Sequence, residues 1–101
     1  MQGVNQVVVA GYLHQAAMMT KTDAEKDILK FTIVVERVTE INTVIRAYVK
    51  ANIYNSDLIK GSRDALLKGA YVIAVGELMS WRSSDGRDNM EVRVRDIRIF
   101  P

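Results

Sequence analysis

Between Val44 and Asn55 every second residue is apolar: Ile45, Ala47, Val49, Ala51 and Ile53 share one side of an extended chain, and Arg46, Tyr48, Lys50, Asn52 and Tyr54 share the other. A period of two predicts a strand whose first set builds core. Ile28 to Val38 repeats the pattern, with Leu29, Phe31, Ile33 and Val35 on the predicted core side and Lys30, Thr32, Val34 and Glu36 opposite. Val4 to Leu13 is apolar on both sides, which predicts a strand covered on both faces or lying against a neighbouring subunit. A further strand is expected from Ala70 to Trp81. In the last, Val92 and Val94 share a phase that Ile97 and Ile99 reverse, so a bulge is expected near Arg95-Asp96.

The connections follow from composition. His14 to Asp27 has no sustained period and is predicted to be a long loop in which Met18 and Met19 fill packing gaps. Residues 39–43 read as a short turn, and residues 83–89, with Asp85-Gly86 inside, as a hairpin turn. Ser56 to Lys68 is predicted helical: Asn55 or Ser56 caps it, Asp57 suits its positive end, and Leu58, Ile59, Ala65 and Leu66 gather on one side. Gly61 weakens its middle, and Gly69 is suited to the left-handed conformation just past its end. The result is five strands with a helix between the third and fourth. Periodicity alone leaves a partly open barrel and a five-stranded antiparallel sheet both open.

A resemblance goes further. Leu66-x-Lys68-Gly69, then Val72-x-x-Val75-Gly76-x-Leu78, the Asp85-Gly86 hairpin and the final alternating strand resemble the closing half of the bacterial single-stranded DNA-binding protein family. Asn5-x-Val7-x-Val9-x-Gly11-x-Leu13 is similar to that family's opening strand, where the glycine lets the strand bend as a barrel closes. The resemblance implies an all-β, single-domain OB-fold over residues 1–101: a five-stranded Greek-key barrel with its helix between strands three and four. It places Val72, Ala74, Gly76 and Leu78 inward, leaving Ile73 and Val75 outside. With Val8, these are the residues expected at an oligomer interface, dimeric or tetrameric.

The family stacks DNA on third-strand aromatics six positions apart, and Tyr48 and Tyr54 stand at that spacing here; Trp81 resembles its fourth-strand aromatic, two residues early. Aromatic faces stack on bases and cations track phosphates. The expected single-stranded DNA site is therefore Arg46, Tyr48, Lys50, Tyr54 and Trp81, with Arg82 and Arg87 from the hairpin. Two departures stand out. Val38 and Thr39 occupy the region where an aromatic often ends the family's second strand, which implies a lower affinity per nucleotide. No acidic tail precedes Pro101, which implies a phage, mobile-element or primosomal-type relative, or a chain from which the tail was removed. Replication or repair proteins are implied partners. The alternatives are an OB-fold protein-interaction module and an RNA-binding OB domain.

Composition narrows the classes. A chain of 101 residues with 49% hydrophobic residues fits one folded domain. Without cysteine it has no disulfides and no thiolate metal site. No apolar run approaches the roughly 18 residues of a membrane span, and the expected location is cytoplasmic. A net charge of +2 permits nucleic-acid binding without requiring it. His14 is the only histidine, expected to be a solvated loop residue, and Asp23, Glu25 and Asp27 read as a solvated charge run. No catalytic constellation, metal site or cofactor is therefore expected.

Overall fold

In a computed structural model describing residues 1–101, the chain folds into six strands and one helix: β1 Val7–Leu13, β2 Met18–Lys21, β3 Asp27–Val38, β4 Val44–Ile53, α1 Ser56–Ser62, β5 Tyr71–Arg82 and β6 Asp88–Phe100. The strands form one sheet in the order β1-β5-β6-β4-β3-β2, and a further pairing of β1 with β3 joins five of them into a ring. Every pairing is antiparallel except β4 with β6, which run parallel and meet at Ala51↔Val92 and Asn52↔Arg93. The architecture is all-β with one short helix.

Alternation explains the interior. Leu13, Ile33, Ile53, Val72 and Val92 are almost wholly removed from solvent inside the ring, joined by Leu66 from the segment after the helix. Gly11 pairs with Val72 of β5, and the next residue, Tyr12, pairs with both Tyr71 of β5 and Val34 of β3; a Cβ on Gly11 would collide with the Val34 carbonyl oxygen, so the ring closes through glycine. At this seam Val34, expected on the polar side of its strand, is also buried. The predicted bulge is present: Val75 pairs with Asp96 and Gly76 with Val94, so Arg95 is the extra residue that returns Ile97 and Ile99 to the inner side.

Four expectations need correction. The region 14–27 is not all loop. Met18–Lys21 forms β2 on the edge of β3, where Met18 pairs with Lys30 and Met19 with Leu29; Met19 packs on the core, a tertiary gain that a four-residue segment does not advertise locally. Because of this added strand, the helix follows the fourth strand rather than lying between the third and fourth. That helix also stops at Ser62 instead of Lys68. Asn55 Oδ1 accepts from the Asp57 and Leu58 amides at 3.0 Å as predicted, but beyond Ser62 the chain unwinds into turns that bury Leu66 and free its carbonyl for the Ala17 amide at 2.9 Å. Gly69 then takes a positive φ of 89° and donates to Leu13 O.

The last correction concerns Ile45 and Ala47. They are exposed, although their strand phase is that of buried Ala51 and Ile53. β1 pairs with β3 only at Ile33 and Val34, and β4 meets β6 only at residues 51 and 52, so beyond these points β3 and β4 pair with each other alone. Residues 36–47 make a free two-stranded ribbon around the short turn at 39–43.

Candidate functional site

A groove of about 750 Å³ is lined by β3, β4, the hairpin of β5 and β6, and the segment that follows β1. Tyr48 and Lys50 reach it from β4, Lys30 and Thr32 from β3, and Trp81 from the end of β5. Thr32 lies opposite Lys50 in the ladder, so these side chains share one face. Tyr48 is 63% exposed and Trp81 46%, leaving much of each ring open to a ligand. The His14 ring meets Tyr48 edge-on at 5.9 Å between centroids, so this histidine supports a ring of the groove instead of being merely solvated. No carboxylate pairs with Lys50.

The other four residues expected on the nucleic-acid path lie outside this groove. Arg46 Nε donates to Glu36 Oε1 at 2.9 Å, and the Tyr12 hydroxyl donates to the same oxygen at 2.9 Å, tying β1, β3 and β4 together at the base of the ribbon. The Arg46 guanidinium, helped by Tyr12, holds the Glu36 carboxyl below the usual carboxylate range, while Glu36 raises both Tyr12 and Arg46. Tyr54 carries the Arg93 guanidinium over its ring at 4.2 Å. Arg82 pairs with Asp88 at 3.1 Å and Arg87 with Asp85 at 3.5 Å in the hairpin turn. The Ser83 hydroxyl and then the Arg87 amide hold Asp85 below its ordinary range, so this turn is set by its own hydrogen bonds.

Sequence reasoning did not single out Lys30, Asp88, Met90 and Glu91, all of which line the groove. Glu91 occupies an outward strand position and is nevertheless only 8% exposed; its burial arises from the meeting of β4 and β6, which no local pattern announces. No cluster of three or more histidine, aspartate or glutamate side chains is placed to hold a metal ion.

On the outer side of β1, β5 and β6, ladder partners stack in rows: Tyr12, Tyr71 and Phe100, then Ala10, Ile73 and Arg98, then Val8, Val75 and Asp96. Val8 is 62% exposed, whereas Ile73 and Val75 are half-buried by these neighbours. The three aromatics extend the expected aliphatic patch into a broader apolar face. No helix is long and apolar enough to cross a membrane. No protein-family model and no curated protein matches the sequence.

Proposed function

We propose that this chain is an OB-fold, Greek-key barrel that binds single-stranded DNA with little sequence preference. In this reading it protects or organises the strand during replication, recombination or repair, catalyses no reaction, and acts as a cytoplasmic homo-oligomer. The five-stranded ring, the parallel β4/β6 contact and the helix before β5 are consistent with that fold. The observation that carries the function is the groove in which Tyr48, Lys50 and Trp81 meet from separate strands. An exposed ring contributes about 1–3 kcal/mol per stacked base, and an unpaired ammonium beside it suits a phosphate.

Titration with oligo-dT tests this directly, because Trp81 is the only tryptophan and its emission reports on the groove. Saturable quenching is expected. By anisotropy of a labelled oligo-dT, Tyr48→Ala and Trp81→Ala should each weaken binding about tenfold. Unchanged affinity in both variants would sink the assignment. Oligo-U in parallel separates an RNA-binding domain from a DNA-binding one. A second reading, a protein-interaction module, is favoured by Asp88 and Glu91 in the same groove, since carboxylates repel phosphates and welcome the basic side chains of a peptide. It predicts no response to any polynucleotide.

A further inference from the structure

Glu91 is the groove residue that phosphate tracking does not explain. Its side chain is only 10% exposed, and its one charged partner, Lys30, holds Nζ 3.8 Å from Oε1, beyond hydrogen-bond length. No side chain or amide donates a hydrogen bond to this carboxylate, and its oxygens remain open to the groove, so a ligand bringing N–H donors finds both acceptors free. A phosphate brings only acceptors. The part of a nucleotide that carries such donors is the base.

The surroundings point the same way. Lys30 lies opposite Asn52 in the β3–β4 ladder, and Asn52 opposite Arg93 between β4 and β6. Asn52 Oδ1 and Arg93 Nε are buried and unpartnered beside this junction, outside the lining of the groove, so neither engages Glu91 or Lys30 from below. Tyr48 and Trp81 supply ring faces in the same groove.

Resting on the single-stranded DNA reading above, we infer that Glu91 and Lys30 form a base-reading pair that selects guanine at one position of the bound strand. Guanine alone among the four bases offers two adjacent donors, N1–H and N2–H, which match the two oxygens of one carboxylate. Its O6 lies beside them and accepts from an ammonium such as Lys30. Thymine offers a single N–H between two carbonyls. Cytosine and adenine offer one amine beside a ring nitrogen that accepts, which sets lone pair against lone pair at the second Glu91 oxygen. Unstacked bases of a single strand expose this edge fully. The remainder of the strand is held by stacking and charge without reading sequence.

The test compares oligo-dT with oligonucleotides in which a single thymidine is replaced by dG, dA, dC or deoxyinosine, bound to the full chain and followed by anisotropy. One dG should tighten binding about tenfold over oligo-dT, with dA and dC within about twofold of it, as a bidentate contact discriminates between bases. Deoxyinosine lacks the N2 amine and should lose most of the gain. Glu91→Gln should bring the dG-to-dT affinity ratio to about one, since a single carbonyl oxygen cannot receive both donors. Lys30→Gln, at a half-exposed position, should lower the ratio in part and keeps the test decisive if the Glu91 variant does not fold. Equal affinity for all five oligonucleotides overturns the base-reading pair while leaving the single-strand reading intact. A dG gain that survives in Glu91→Gln, or that deoxyinosine reproduces in full, overturns it equally. Failure to bind any of them removes both.

Discussion

Glu36 joins three strands through one oxygen, and its chemistry sets a pH window. Folding lowers its pKa, chiefly through Arg46 and then Tyr12, and raises that of Tyr12, chiefly through Glu36. A carboxyl with a depressed pKa contributes stability above its unfolded value and loses it as pH falls through the folded value. A phenol with a raised pKa contributes below its unfolded value and loses it as pH rises through the folded one. The triad should therefore contribute across a plateau from about pH 5 to about pH 9 and decline on both sides. Urea midpoints of the parent chain and Glu36→Gln, compared across pH, should differ most on the plateau and converge below about pH 4. A difference that persists undiminished into acid would show that Glu36 acts by packing rather than charge. Strand phase made Tyr48 and Lys50 legible as face partners, and the same phase placed Arg46 beside them. What phase does not reveal is that Arg46 is already engaged by Glu36 across the β3–β4 ladder.

At the scale of elements, strands β3, β4 and β6 were legible because each carries alternation long enough to outweigh its breaks, β1 and β5 as apolar runs whose faces alternation does not assign, the Arg95 bulge as a departure from alternation, and Gly11 as a glycine inside a strand. β2 was not, because four residues of mixed character gain their stability from the edge of β3. Alternation also gives no length for the enclosed part of a strand: Ile45 and Ile53 read alike, yet Ile45 is 46% exposed on the ribbon and Ile53 is fully buried. Their truncations should differ accordingly. Ile53→Ala should cost about 2–5 kcal/mol through a cavity in the core, whereas Ile45→Ala should stay within about 0.5 kcal/mol, as exposed changes do. Both are read from denaturant midpoints with the slope held constant. Comparable losses would mean that the ribbon's apolar side is covered by another copy or a partner.

The whole molecule presents two faces, a groove with rings and cations and an apolar face of β1, β5 and β6, and each makes a separable demand. If Val8, Ile73 and Val75 lie between subunits, sedimentation equilibrium should give a multiple of the 11.4 kDa chain mass, and Ile73→Asp should return it to the monomer. A monomer in the parent chain would remove that interface. Salt dependence tests the groove. Each phosphate neutralised on a single strand contributes about −0.7 to the slope of log K against log salt. Counting Arg46, Lys50, Arg82 and Arg87 as four such contacts would give a slope near about −3 on the same basis. Three of these four are already paired with Glu36, Asp88 and Asp85. A phosphate that displaces such a carboxylate releases a counterion while the freed carboxylate takes one up, so the exchange adds little to the slope. Lys50, with no carboxylate, remains, and Lys30, held only loosely by Glu91, adds a second contact on a strand such as oligo-dT that brings no guanine to it. The expected slope for oligo-dT is therefore about −0.7 to −1.4, flattened by about 0.7 in Lys50→Ala and unaltered in Arg87→Ala. A slope near about −3 that falls when Arg82 or Arg87 is removed would instead place the strand along the hairpin turn, outside the groove that holds Tyr48 and Trp81.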